Sequence, residues 1–181
     1  MIYLTDFPSP DFNHLGGVSE FWFVLVGDLA DFPKTNSGWL TSDLNFIEGK
    51  SWLKGYTERT QAKFSEPISM TGSGPVFKPT LEGFIPGEND QLKLLFRKMT
   101  GDLFLLKVKD NTGKYRVAGT PAYPLRFTFE FSTGSNYGNI DGYRFKFQGQ
   151  LPVQSLRLHA PSYIPDENTG DFSNEFSQEF N

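Results

Sequence analysis

No cysteine occurs among the 181 residues, which removes disulfide frameworks, thiolate metal sites, iron–sulfur clusters and cysteine nucleophiles together. Histidine is nearly as scarce: only His14 and His159 are present, neither at metal-ligand spacing from a second ligand, and both read as loop residues. Long apolar runs are missing as well. The longest, Phe21 to Val26, falls far short of the roughly 20 residues of a membrane-spanning helix. The opening MIYLTDFPSPDF has neither the basic nor the apolar region of a signal peptide. These absences lead us to expect a soluble protein made in a cytoplasm, with no membrane partner.

Positive charge is thinly spread. The formal net charge is -4, and residues 161–181 hold five acids (Asp166, Glu167, Asp171, Glu175, Glu179) and no base. The other 16 acids are balanced by all 17 bases, and no basic stripe forms. Specific nucleic-acid binding through phosphate neutralisation is therefore not expected.

What the chain has in quantity is aromatic surface and turn residues. Aromatics make up 16% of it, 19 of them Phe, which is too rich for a disordered chain. The 18 Gly and 12 Pro punctuate it every few residues, as short strands joined by turns require. We expect one β-rich domain over residues 1–160, with an extended N-terminal arm (1–20), a long loop (32–55) and a flexible acidic tail (161–181) without periodicity.

Within that frame, Phe21–Val26 reads as a strand buried on both faces, with Trp22 in the core. Ala62 to Met70 and Val76 to Ile85 read as strands of imperfect alternation around a Gly72–Pro75 turn, with Pro67 and Pro79 marking edges or bulges. One helix is expected at about residues 88–100. Acids at Glu88 and Asp90 suit its first turn, Leu92, Leu95, Phe96 and Met99 form an apolar stripe, and Gly101 stops it. Asp102–Lys109 and Lys114–Gly119 form a hairpin around Asp110-Asn111-Thr112-Gly113. Leu125, Phe127, Phe129 and Phe131 alternate with Arg126, Thr128, Glu130 and Ser132. After a Gly/Ser/Asn-rich loop, Tyr143, Phe145 and Phe147 alternate with Arg144, Lys146 and Gln148. Each such strand has one aromatic and one wet face. The fold class is thus mainly β: an antiparallel two-sheet sandwich or small barrel with one flanking α-helix.

Reactive constellations are hard to find. No G-x-S-x-G elbow marks a serine. Carboxylate pairs such as Glu66 with Glu82, or Glu130 with Asp141, lie at turns and wet faces and read as surface charge rather than glycosidase acids. Asp110–Gly113 lacks the downstream Glu and helical flanks of a calcium loop. Gly72–Pro75 lacks the Lys-Ser/Thr pair of a phosphate cradle. We expect no catalytic residue, metal or cofactor, and hence no enzyme. Trp39, Phe46 and Trp52, in the long loop, are the candidates for burial against another subunit, since aromatics dominate such contacts. Stacking on sugar rings, as in a carbohydrate-binding sandwich, is the alternative role for the two tryptophans. Arg126, Thr128, Glu130, Arg144 and Lys146 mark the candidate wet sheet face.

The stretch Pro86–Leu151, with PGENDQLKLLFRKMTG, LFLLKVKDNTGKYRVAGTPAYPLRFTFEFSTG and GYRFKFQGQ, resembles prophage-encoded tail proteins. In those, a helix precedes a hairpin of the form "leucine-rich strand, D-x-x-G, R-V-x-G" and a Gly-Tyr-led strand follows. The resemblance covers about a third of the chain and points to the tail-tube superfamily, which includes contractile and non-contractile tail tubes and the type VI secretion tube. It implies a barrel-like sandwich flanked by one helix, and six-subunit rings that stack through an arm and a long loop. It further implies partners limited to further copies and other tail components, and a place in the virion after assembly in the bacterial host cytoplasm. One feature departs from the pattern: the faces carrying Arg126, Arg144 and Lys146 are not acidic, as a lumen that repels DNA would be. Either those faces point away from a lumen, or the chain is a different tail component, such as a terminator or connector subunit.

Overall fold

The computed structural model describes residues 16–58, 61–133 and 140–158. His14, His159, most of the expected arm, the centre of the Gly/Ser/Asn-rich loop and the acidic 161–181 segment lie outside them. In chain order the elements begin with β1 (Val18–Leu25), a single helical turn at Val26–Asp28, β2 (Leu29–Asp31), β3 (Thr35–Asn36), β4 (Trp39–Leu40), β5 (Asn45–Phe46) and β6 (Leu53–Gly55). There follow β7 (Lys63–Ser65), β8 (Ile68–Thr71), β9 (Gly74–Phe77), β10 (Thr80–Pro86) and α1 (Asp90–Met99). The last five are β11 (Leu103–Asp110), β12 (Tyr115–Ala118), β13 (Leu125–Ser132), β14 (Gly142–Gln148) and β15 (Leu156–Leu158).

The protein is a mainly antiparallel β-sandwich with one helix, not a closed barrel. Strand β11 is the hinge between its layers. Along one edge it pairs with β1, which in turn carries β6. Along the other edge its C-terminal half pairs with β12 and its first two residues pair with β13. The sheet therefore divides: β12–β15–β4–β3 continues one layer, and β13–β14–β10–β7 folds over as the second.

The main core lies between the layers and is aromatic. Phe21, Phe104, Phe127, Phe145 and Phe147 are at most 4% exposed. Their rings meet mostly tilted or edge-on, at 4.9 Å for Phe127–Phe147 and 5.6 Å for Phe104–Phe147, the arrangement ring quadrupoles favour. The alternation of β13 and β14 is realised over most of its length, with Leu125, Phe127, Tyr143, Phe145 and Phe147 inward and Arg126, Thr128 and Arg144 exposed; Phe129 is half-buried and Phe131, at the end of β13, is 38% exposed. Packing is tight enough that a Cβ on Gly83 would stand 2.3 Å from the Phe145 ring.

Helix α1 covers one end of this core. Asn89 is its N-cap, its side-chain oxygen accepting from Gln91 N at 2.8 Å and Leu92 N at 3.1 Å. Gly101, at φ +100°, ends it. Phe96 and Met99 are buried and Leu92 packs beside them. Leu95, the fourth member of the expected stripe, is 48% exposed. The helix is seated along its 92–96–99 line, which leaves Leu95 at the border with Leu94.

Two further expectations are refined. Strand β1 is covered on both faces, but Trp22 points away from the main core and is only partly buried. The reason is a bulge: Val18 faces Asp110 and Glu20 faces Lys109, so Ser19 is an extra residue, its hydroxyl donating to Lys109 O at 3.1 Å. The bulge resets the alternation, placing Phe21, Phe23 and Leu25 inward and Trp22 and Val24 outward. Pro67 and Pro79 do not bend two strands; they separate four, because neither can donate to a ladder.

Candidate functional site

Three surfaces hold the residues singled out in the sequence. The first is the outer face of the β1–β11–β12–β15 layer, and the 26–55 segment lies across it rather than looping into solvent. Its strands are two or three residues long, yet each is paired. Thr35 and Asn36 face Leu40 and Trp39 across a tight turn in which Ser37 and Gly38 have φ of 49° and 83°. Trp39 runs parallel beside Arg157 of β15, Leu29 faces Phe46, and β6 borders β1. Leu40, Leu44, Phe32, Phe46 and Trp52 thereby cover Val24, Leu105, Val117, Leu156 and Leu158 in a second, outer core.

At the centre of that outer layer sits Lys107, only 8% exposed. Its Nζ lies 4.7 Å from the Trp52 ring centroid and 5.3 Å from that of Trp22. It is 3.3 Å from Asp43 Oδ2, while Asp43 Oδ1 accepts from Trp52 Nε1 at 3.1 Å. Burial pushes the Lys107 pKa down, and the charge and hydrogen bond of Asp43 offset part of that fall. Alongside, Glu20 bridges Lys54 at 2.6 Å and Lys109 at 3.0 Å. The Lys54 and Lys109 hydrogen bonds hold its carboxyl below the usual range, against the opposing effect of burial.

Of the three loop aromatics, Phe46 and Trp52 thus meet each other, rings 5.8 Å apart and nearly perpendicular, inside the protein's own outer layer. Trp39 is half-buried, with the Arg157 guanidinium 5.7 Å from its ring centroid. The structure brings Phe46 and Trp52 together and places Trp39 beside β15 instead. Sequence reasoning missed Lys107 and Asp43. A lysine in an otherwise apolar stretch, Phe104-Leu105-Leu106-Lys107-Val108, was the available signal.

The second surface is the outer face of β13–β14–β10–β7. Register places Thr128, Lys146, Glu82 and Lys63 in one row across four strands, and Glu130, Arg144 and Phe84 in the next. Arg126 lies one row further on, opposite Gln148. A shallow groove of about 720 Å³ runs over the first two rows, so four of the five expected wet-face residues meet in one place and Arg126 stands outside. Lys146 pairs with Glu82 at 2.7 Å, and that hydrogen bond holds the Glu82 carboxyl low against burial. Arg144 lies 5.8 Å from the Phe84 ring centroid. With Lys63, Arg144 and Lys146 set against Glu82 and Glu130, the groove is a mixed-charge polar wall.

The third surface is the β8–β9 hairpin. It forms a two-stranded ribbon of its own, outside the main sheet, tied at its base by Phe77 and Leu151, whose N–H groups each donate to the other's carbonyl at 2.8 Å. Ile68 and Met70 share one face of it and are 56% and 77% exposed, and Pro75, opposite Met70, is exposed too. Of the carboxylates considered as acid pairs, Glu66 is bound by Ser155 through N and Oγ, at 2.7 and 2.5 Å.

Among the described residues no group of three or more metal-ligating side chains comes together, and no helix is long and apolar enough to cross a membrane. The fold and these surfaces define an open, mainly antiparallel β-sandwich with a projecting apolar ribbon. Compared with family models, with curated proteins and with solved structures, the chain has no match.

Proposed function

We infer that the protein is a structural subunit that assembles with further copies of itself into a ring or tube of a phage-type tail. The β8–β9 ribbon carries the assembly part of this reading. An isolated two-stranded hairpin is marginally stable in water, and one that holds an apolar face to solvent gains most by covering it against another chain. Exposed edges at β3, β6 and β7 offer further pairing sites. The phage-tail part rests on the resemblance of Pro86–Leu151 to prophage tail proteins. In such an assembly the mixed-charge face around Thr128, Glu130, Arg144 and Lys146 is the wall turned to water, and the virion is where the protein works. No catalytic role and no cofactor are proposed.

The glycan-binding alternative draws less support. Sugar stacking needs an open aromatic face, whereas Lys107 lies over the Trp52 ring and Asp43 engages its indole N–H. The deciding experiment is light scattering behind size exclusion over a concentration series, with negative-stain microscopy of the largest species. Rings or stacked tubes are expected. A strict monomer at every concentration would sink the assembly reading.

A further inference from the structure

A second cleft, of about 580 Å³, opens at the seam where the sandwich fails to close, between β7 on one side and the start of β1 with the β11–β12 turn on the other. Its floor is apolar, built from Val18, Val108 and the partly buried Phe64. Its rim carries Lys63, Lys114 and Arg116. Among the described residues none of these three cations is in an ion pair.

The two acids that line the cleft are already engaged. Glu66 accepts from Ser155 N and Oγ. Asp110 Oδ1 accepts from Thr112 N, Thr112 Oγ1 and Lys114 N, which shape the turn. Those donors are neutral, so both carboxylates keep their charge and Asp110 feels Arg116. With three cations against two carboxylates, the cleft presents an apolar floor under a small excess of positive charge, which suits a ligand that is both aromatic and acidic.

The chain itself contains such a ligand. Asp171-Phe172-Ser173-Asn174, Glu175-Phe176-Ser177-Gln178 and Glu179-Phe180 repeat an acid–Phe pair every four residues. This period was not apparent from hydropathy alone, because each unit holds a single apolar residue. At a spacing of four, Phe172, Phe176 and Phe180 fall on one face in a helix and equally in a strand. Residues 161–181 carry five acids and no base.

The exit point of the chain favours the same pairing. In the last strand Leu158 stands opposite Tyr115 and runs antiparallel to β12. The chain thus leaves the sheet beside the Asp110–Lys114 turn, at the rim of this cleft. The twelve residues 159–170 reach up to about 40 Å when extended. Tethering at that range gives an effective concentration on the order of millimolar, so weak contacts suffice.

We propose that residues 171–180 dock in cis into this seam cleft, their phenylalanines on the Val18–Phe64–Val108 floor and their carboxylates at Lys114 and Arg116. The acidic segment is then an internal ligand of the seam cleft. This does not depend on the assembly reading.

Amide hydrogen exchange on the full chain tests the proposal. Residues 171–180 should exchange at least roughly tenfold more slowly than the same residues in Phe172→Ala/Phe176→Ala/Phe180→Ala. That variant should also expose the 62–66 and 108–116 amides. Glu175→Lys/Glu179→Lys should do the same, and because both changes lie in the segment it leaves the packing of the half-buried Arg116 untouched. Unprotected exchange of 171–180 in the native chain would overturn the proposal, as would cleft amides indifferent to both variants. Protection that fades on hundredfold dilution would overturn docking in cis and identify a second copy as the donor.

Discussion

Lys107 carries a charge where the surroundings disfavour one. Its ammonium has one carboxylate and two indole faces for company, and Asp43 keeps 41% of its side chain in water while Lys107 keeps 10%. Removing a buried charge altogether and stranding it have opposite effects. Lys107→Met, which keeps the stem in place between Trp22 and Trp52, should leave stability unchanged or raise it by about 1–2 kcal/mol. Asp43→Ala should cost about 2 kcal/mol, less than for a fully buried pair, because Asp43 is partly solvated already. The pH dependence has a definite sign. The folded pKa of Lys107 lies below the ordinary lysine value of 10.5, so between the two the unfolded chain binds more protons. Stability should therefore rise as pH climbs through that window, and the penalty of the charged lysine is fully present below it. Urea denaturation of the native protein and Lys107→Met at pH 7 and pH 10 reads this directly. A contribution of the same sign and size in both proteins would exclude Lys107 as its source.

Among the elements, α1 shows how local signals translate. Asn89 satisfies two N–H groups that the helix leaves without partners, and Asn89→Ala should cost about 1 kcal/mol in thermal or urea unfolding. A loss below a few tenths would mean that packing of Leu92 holds the first turn without the cap. The helix, the Asp110–Gly113 turn and the aromatic faces of β13 and β14 were legible in the sequence because their determinants lie within a few residues of one another. The 26–55 segment was not. Its strands are too short to show a period, and their partners are remote, as with Trp39 beside Arg157. Trp22 was misplaced for a related reason: a single bulge at Ser19 reverses the facing of every later residue in β1, and nothing in an unbroken apolar run announces it. The wet face was read correctly as a pair of strands. Its row of Lys63, Glu82, Lys146 and Thr128 emerged only once β10 and β7 were known to continue the sheet.

For the whole molecule, the open topology leaves its projecting ribbon as the surface with most to gain from a partner. Ile68 and Met70 sit on β8, where they make no contribution to either core, so their exposure is not forced by the fold. Replacing both with lysine adds charge to an already solvent-facing surface and should move monomer stability by less than about 0.5 kcal/mol. The same change removes the apolar face from any contact between copies, and burying two unpaired ammonium groups there is strongly unfavourable. Ile68→Lys/Met70→Lys should therefore weaken the proposed self-association at least roughly tenfold, a shift of about 1.4 kcal/mol, while leaving the unfolding midpoint of the dilute protein in place. Light scattering and urea titration on the same samples separate the two effects. Loss of association with an unchanged midpoint places the ribbon in the contact. Unchanged association would move the contact to the exposed edges of β3, β6 or β7, and a lowered midpoint would mean that the ribbon steadies its own sandwich through the Phe77–Leu151 bridge at its base.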